Sequence, residues 1–195
     1  MHKKIVPLVL ALLLPAFAIM VLARQPAVAT TAYLGCKPAN LIVKTGQSFY
    51  LTVAVTDTLD LYAWQLNADY NPTYLEFQRI LPGKHLYADG ASYYYIQPVD
   101  PGNTEAQRAA ATRLSCHQGI DGSGDIAYIF FRAKTQNLGG TIVDLRETLL
   151  VDRNALEITK TLFNSSDCRV YISNTADDLI QPPVGEVIFM PLSTH

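Results

Sequence analysis

The segment at positions 62–77, YAWQLNADYNPTYLEF, constrains the fold more than any other part of the sequence. From Tyr62 to Tyr70 the apolar residues occupy every second position, and three of the four residues between them are polar. A period of two is typical of a β-strand that has one face on a core. Asn71-Pro72 then ends the strand, because proline has no N–H to donate to a neighbouring strand. Alternation resumes at Leu75, so the segment predicts a strand, a tight corner and a second strand.

Further segments of the chain predict strands of the same kind. Residues 48–56 alternate similarly, and residues 125–133 are apolar on both faces, which indicates a central strand. Pairs such as Pro82-Gly83 and Gly139-Gly140 supply turns between them. The sequence predicts an all-β fold, a nine-stranded jelly-roll-like β-sandwich, with strands near 40–43, 48–56, 61–70, 75–81, 93–99, 106–114, 125–133, 141–149 and 168–173. Its predicted core includes Phe49, Val53, Trp64, Leu66, Leu75, Tyr128 and Phe130.

The two ends of the chain differ from this domain in composition. Residues 1–29 have a positively charged start, an apolar run and the cleavage pattern Ala27-Val28-Ala29, which predicts a signal peptide. The alternative is an uncleaved N-terminal anchor helix, since the apolar run is nearly long enough to span a bilayer. The domain is then 30–173, and 174–195 are a linker and a short hydrophobic tail, or an added edge strand at that tail. Either way the protein is expected outside the cell or at its surface, with membrane contact only through a possible N-terminal anchor.

The charged and chemically reactive residues exclude several functions. A formal net charge of -2 and the lack of any basic run argue against a nucleic-acid partner. His85 and His117 stand alone, and Cys116 beside His117 does not have the geometry that nucleophile activation needs. The acidic, glycine-rich stretch 121–125 departs from a calcium loop and favours a turn. No catalytic residue, metal site or cofactor is predicted, so the chain is not expected to be an enzyme.

Several short motifs occur in an order that resembles the cohesin family. The third strand ends in DYNP at 69–72 and continues as YLEF at 74–77, where the family typically has Tyr-Asp-Pro and then Leu-Glu with an apolar residue. GQSF at 46–49 opens the second strand, Pro-Gly follows the fourth at 82–83, and GSG at 122–124 precedes a glycine-led strand. The resemblance covers roughly residues 39–173, and it favours a strand over a helix at 104–111.

The resemblance implies a non-catalytic module that binds a dockerin-like protein through one flat sheet. Many type I cohesins have Asn and Asp at the positions of Ala63 and Gln65, so ordinary type I binding is in doubt here. The implied topology places the first and last strands side by side, so Cys36 and Cys168 are expected to form a disulfide that leaves Cys116 unpaired or linked to another chain. The predicted partner-binding residues are Gln65, Asn67, Asp69, Tyr94 and Tyr95.

A carbohydrate-binding module is the alternative function, because some such modules share this sandwich architecture. Tyrosine rings stack on sugars, and Tyr93, Tyr94 and Tyr95 are adjacent in the sequence. Alternation along a strand sends Tyr94 to the face opposite Tyr93 and Tyr95, so part of this cluster is expected in the core. A row of exposed aromatic side chains would favour a polysaccharide ligand, and a polar, mildly apolar sheet would favour a protein partner.

Overall fold

The computed structural model describes residues 31–97, 106–114, 118–145, 147–162 and 168–174, and most of them lie in β-strands. One turn of 3-10 helix, η1 (His85–Tyr87), lies between the fourth and fifth strands. The strands are β1 (Ala32–Lys37), β2 (Asn40–Lys44), β3 (Ser48–Tyr70), β4 (Leu75–Pro82), β5 (Tyr93–Ile96), β6 (Ala106–Arg113), β7 (Ile120–Ala133), β8 (Asn137–Asp144), β9 (Leu149–Asp152), β10 (Lys160–Leu162) and β11 (Cys168–Ser173).

The long strand β3 belongs to both sheets of the sandwich. Its first half pairs with β1 and β7, which in turn pair with β10 and β4, so the first sheet has the order β4-β7-β3-β1-β10. Its second half pairs with β6 and β9, and β6 pairs with β5, so the second sheet has the order β5-β6-β3-β9. β8 pairs with the end of β3 and with β11, which runs parallel to β2.

Two aspartates allow β3 to pass from one sheet to the other. Asp57 and Asp60 have positive φ angles of 56° and 57°, and the register with β7 shifts twice in this stretch. Aspartate tolerates this left-handed conformation better than most residues. The carboxylate of Asp60 also accepts a hydrogen bond of 2.7 Å from the backbone N–H of Gly119. The bend is therefore fixed by the segment that leads into β7.

The all-β prediction is confirmed, but the number and bounds of the strands differ. The strands predicted at 48–56 and 61–70 are one continuous strand, and the one predicted at 141–149 is divided between β8 and β9. β1 and β10 were not predicted, so the described residues contain eleven strands rather than nine. Val151 of β9 also forms an isolated antiparallel bridge with Glu157. The predicted signal or anchor helix and the tail from 175 onward lie outside the described residues.

The core lies between the two sheets and contains five of the seven predicted residues. Trp64 is 1% exposed, and Phe49, Val53, Leu66 and Leu75 are also buried. The placement of Tyr128 and Phe130 in the core was wrong, because both are partly exposed while their neighbours in β7 are fully buried. A strand that is apolar on both faces gives no sign in its sequence of which face points inward.

Cys36 and Cys168 form a disulfide that joins β1 to β11, and their Cα atoms are 5.4 Å apart. This is the pair that the family resemblance implied. Parallel pairing of β2 with β11 places the first and last parts of the domain side by side, as expected. Cys116 lies outside the described residues. Within the described part of the chain, no helix is long and apolar enough to cross a membrane.

Candidate functional site

The outer face of the second sheet carries two rows of aligned side chains. In the first row Thr112 of β6 lies opposite both Tyr94 of β5 and Ala63 of β3, and Val151 of β9 follows. Directly opposed residues of an antiparallel pair point to the same face. This row therefore forms one continuous outward surface across four strands.

The second row runs beside the first and is also mostly apolar. Ala110 lies opposite Ile96 and Gln65, and Gln65 lies opposite Leu149. Together the two rows line a shallow depression of about 210 Å³, which also reaches Trp64 and Ala111. We call these eight outward residues the apolar trough: Ala63, Gln65, Tyr94, Ile96, Ala110, Thr112, Leu149 and Val151.

The apolar trough exposes large apolar side chains that a solvated sheet face would not need. Tyr94 is 58% exposed, Ile96 53% and Leu149 37%. Contiguous exposed apolar surface on a soluble domain marks an interaction site more often than single exposed residues do. Ala63 and Ala110 lie between these exposed residues, and their small side chains leave a depression at the centre of the surface. A partner can therefore insert an apolar side chain there.

Polar side chains occupy one end of the same face, where β3 meets β6 and β8. Asn67 was predicted to be exposed, and this was wrong, because only 3% of its surface is accessible. Its amide nitrogen donates to Glu147 at 3.0 Å and to Asp69 at 3.3 Å, and its amide oxygen accepts from Arg108 at 3.3 Å. Asn67 therefore orients three charged side chains.

Asp69 is half-buried within this polar end. Burial raises the pKa of its carboxyl, and the nearby carboxylates of Glu147 and Asp144 raise the pKa further. Arg108 and the hydrogen bond from Asn67 act in the opposite direction and lower the pKa. The net effect is a raised pKa of Asp69, and a basic side chain of a partner would relieve the repulsion among the three carboxylates. We call Asp69, Asp144 and Glu147 the acidic end of the face.

Tyr94 and Tyr95 have different roles in the structure. Tyr94 lies in the apolar trough, whereas Tyr95 is turned inward with its ring centroid 6.3 Å from that of Trp64. The Tyr95 hydroxyl donates to the backbone carbonyl of Ile80, and burial raises the pKa of this hydroxyl to about 12. Of the five predicted residues, Gln65, Asp69 and Tyr94 thus lie on the surface, and the other two support it from below.

Sequence reasoning missed most of the apolar trough. Ile96, Ala110, Leu149 and Val151 gave no separate signal, because each is an ordinary apolar residue of a strand. Only the register across β5, β6, β3 and β9 brings them together. Hydrophobic alternation could have placed Ala110 on an outer face, but it could not have placed Leu149 beside Gln65.

The described residues offer little for catalysis or metal binding. Among them no group of three or more His, Cys, Asp or Glu side chains could hold a metal ion. His85 is buried, and its Nε2 lies 3.2 Å from the hydroxyl of Thr58, which donates to the carbonyl of Gly122. Burial lowers the pKa of His85. These contacts tie η1 to β3 and β7, which is a structural role.

The fold and this surface define a class of protein: an all-β recognition domain that presents a flat, partly apolar sheet. The chain belongs to the cohesin-domain family, because the family model for the cohesin domain matches residues 39–170. Domains of this family are non-catalytic protein–protein interaction modules. No curated protein matches the sequence.

Solved structures share the fold at low sequence identity. A non-cellulosomal cohesin from the archaeon Archaeoglobus fulgidus is 15% identical with a TM-score of 0.54, and the match covers 73% of this chain and 90% of that one. A chain of a type I cohesin–dockerin complex from Clostridium thermocellum is also 15% identical, with a TM-score of 0.55 and coverage of 74% and 100%. A type II cohesin from the cellulosome of Acetivibrio cellulolyticus is 12% identical, with a TM-score of 0.54 and coverage of 72% and 94%.

Proposed function

We propose that the chain is an exported recognition module that binds a dockerin-like protein through the outer face of the second sheet. One observation carries this proposal: Tyr94 and Ile96 on β5 and Leu149 on β9 are exposed at the two sides of one shallow apolar depression. Protein interfaces combine a central apolar patch with a polar rim, and aromatic side chains are enriched at their centres. The apolar trough supplies the patch, and the acidic end supplies part of the rim.

The chemistry of this face defines the partner. A partner segment would place apolar side chains in the apolar trough and a lysine or arginine near Asp69 and Glu147. Charge complementarity of this kind contributes mainly to orientation and association rate. Ala63 and Gln65 supply no charge where many type I cohesins carry Asn and Asp. We therefore expect this module to select a partner with apolar contacts at those positions.

The test measures binding of purified dockerin modules to the immobilised protein by surface plasmon resonance. We expect Leu149→Asp to weaken binding at least about tenfold, because it places an unpaired charge in the apolar trough. Leu138→Asp is the matched control, since Leu138 is 47% exposed on β8 and lies outside the apolar trough. Thermal unfolding of each variant confirms that it is folded.

Two further variants distinguish a residue that contacts the partner from a buried residue that holds the surface in place. Gln65→Ala should leave stability within about 0.5 kcal/mol and weaken binding by about 1 kcal/mol. Asn67→Ala should reduce both, because it leaves the polar end without the amide that orients it. A dockerin that binds Leu149→Asp, Gln65→Ala and Asn67→Ala as tightly as the parent protein would remove this face from consideration.

Export is part of the proposal and rests on residues 1–29. The charged start, the apolar run and the small residues at 27 and 29 support cleavage before Thr30. Intact-mass measurement of the protein from the culture medium should give a chain that begins at Thr30. Full-length protein recovered from the membrane fraction would instead support the uncleaved anchor.

The alternative of a carbohydrate-binding module has less support on this face. It would need several exposed rings in a row. Tyr94 is the only one of the two predicted tyrosines that is exposed there, since Tyr95 is packed against Trp64. A single ring provides little surface for a sugar chain. Binding of neutral polysaccharide that Tyr94→Ala abolishes would support this alternative.

A further inference from the structure

A second group of exposed aromatic side chains lies on the opposite surface, the outer face of the first sheet. Phe130 of β7 lies directly opposite Tyr50 of β3, and Tyr128 lies two residues away on the same face. The Tyr50 ring centroid is 5.5 Å from that of Phe130 and 6.0 Å from that of Tyr128. All three side chains are partly exposed. We call Tyr50, Tyr128 and Phe130, together with Arg79, the aromatic face.

Two further tyrosines lie beyond the sheet. Tyr87 of η1 lies near enough to Tyr128 to contribute to the raised pKa of that hydroxyl, after the larger effects of burial and Asp125. Tyr87 itself stacks on Tyr93, with centroids 4.6 Å apart and rings inclined by 12°. Tyr87 and Tyr93 therefore form a separate stacked pair between η1 and β5, and Tyr87 also packs against the core. Tyr50, Tyr128 and Phe130 are not needed to fill the core, which Ile129 and Phe131 of β7 already fill.

Arg79 is the most informative side chain of the aromatic face. It is exposed, and its guanidinium carbon lies 4.3 Å from the centre of the Phe130 ring. It makes no hydrogen bond or ion pair with any of the described residues. A guanidinium that is stacked on a ring keeps its N–H groups directed sideways, where they can bind a carboxylate with two parallel hydrogen bonds. The ring thus favours one orientation of a cation that no described acidic residue pairs with.

The charges around the aromatic face are mainly positive. Lys37 is exposed and lies opposite Thr52, which in turn lies opposite Tyr128. Arg132 is exposed one step further along β7. Two acidic side chains lie on this face: Glu76 is exposed opposite Arg132, and Asp125 accepts a hydrogen bond of 3.1 Å from the Tyr128 hydroxyl. Lys37 and Arg79 lie opposite Thr52 and Phe130 instead of an acidic residue. The complementary ligand therefore carries negative charge.

We propose that the aromatic face binds an acidic polysaccharide, a polymer whose sugar rings carry carboxylates. The C–H faces of the sugars would lie on Tyr50, Tyr128 and Phe130, and a sugar carboxylate would pair with Arg79. A single-stranded nucleic acid also combines flat rings with negative charge. The export signal predicted for residues 1–29 favours the polysaccharide, because acidic polysaccharides are common outside cells. This inference does not depend on the proposed dockerin-binding surface.

The test is native gel electrophoresis of the protein through gels that contain soluble polygalacturonate, followed by calorimetric titration. We expect retardation by polygalacturonate that weakens as salt is added, and little retardation by neutral hydroxyethyl cellulose. Arg79→Gln should weaken binding at least about tenfold, since it removes a charged hydrogen-bond donor. Tyr50→Ala should also weaken it severalfold.

Matched controls come from β11, whose exposed residues lie away from the aromatic face. Arg169 is exposed and Tyr171 is partly exposed there, so Arg169→Gln and Tyr171→Ala change the same residue types. Both should bind polygalacturonate like the parent protein. Thermal unfolding checks that each variant is folded. Arg79→Gln should lower the stability less than Tyr50→Ala does, because Arg79 is exposed and Tyr50 is partly buried.

Four outcomes would overturn the inference. They are a lack of retardation by polygalacturonate, equal binding of hydroxyethyl cellulose, equal losses in the β11 controls, and tighter binding of a thymidine oligonucleotide than of polygalacturonate. The second would reassign the aromatic face to neutral polysaccharides. Equal losses in the β11 controls would show that binding depends only on the overall charge of the protein. Tighter binding of the oligonucleotide would favour nucleic acid as the ligand.

Discussion

Removal of the Cys36–Cys168 disulfide should destabilise the domain more than any single surface change. The bond links residues that are 132 positions apart, so it closes nearly the whole folded domain into one loop. In the chain-entropy model a loop of this length restricts the unfolded chain enough to stabilise the folded state by about 5 kcal/mol. Many domains have a total stability of only about 5–15 kcal/mol. The loss should therefore be easy to measure.

Alanine is the appropriate replacement, because Cys168 is fully buried and a serine hydroxyl there would add a polar group without a partner. The reference protein is Cys116→Ala, in which no spare thiol can form a different pair. The variant has all three cysteines replaced, and both are unfolded in urea. Trp64, the only tryptophan of the chain, is buried and reports unfolding by fluorescence.

We expect the free energy of unfolding to fall by about 3–5 kcal/mol, with the lower figure allowing for structure that remains in the unfolded chain. Reduction of the Cys116→Ala reference with dithiothreitol should shift its urea midpoint to that of the variant. A loss below about 1 kcal/mol, or no effect of the reductant, would refute the reasoning that the disulfide acts by restricting the unfolded chain.

Two further predictions concern the buried Trp64 and the ion pair of Asp89 with Arg113. Trp64→Ala should cost about 3–5 kcal/mol, the range for truncating a buried large aromatic residue. Trp64→Phe should cost at most about 2 kcal/mol, because it also removes a buried indole N–H that has no hydrogen-bond partner among the described residues. Urea unfolding followed by circular dichroism measures both, and equal costs would contradict the argument. The second concerns Asp89, whose pKa is lowered first by its hydrogen bond with the buried Arg113 and then by the backbone N–H of Ala91. Its contribution to stability is present above the unfolded-state pKa and is lost as the pH falls through the lower folded-state pKa. Asp89→Asn should therefore be less stable than the parent at pH 7, and the gap should close below about pH 4; a gap that stays constant from pH 7 to pH 3 would count against this ion pair.

Alternation and turn chemistry were enough to predict the strands and much of the core. The corner at Asn71-Pro72 and the buried position of Trp64 both follow from local rules. The continuity of β3 does not, because Asp57 and Asp60 resemble turn residues until the sheets hold them in place. Local sequence shows that a strand can bend there, but only the pairing partners decide that it continues.

The candidate surface was less predictable because it depends on register between distant strands. Asn67 fits an outward position by alternation, yet Arg108 and Glu147 cover it from strands and loops remote in the sequence. Alternation also gives no absolute direction, so Tyr128 and Phe130 were placed in the core rather than on the outside. Both errors arise from the same limit: a period of two identifies two faces and does not say which face meets water.

The two proposed surfaces lie on opposite outer faces of the sandwich, and this arrangement makes a last prediction. The apolar trough belongs to the second sheet and the aromatic face to the first, with the core between them. Ligands on the two faces should not collide, so one molecule should hold a protein partner and a polysaccharide together. A dockerin-bound sample should be retarded by polygalacturonate as strongly as the free protein. Leu149→Asp should weaken dockerin binding alone, and Arg79→Gln should weaken polysaccharide binding alone. Competition between the two ligands would show that at least one of them binds elsewhere, because ligands on separate rigid faces have no physical means of excluding each other.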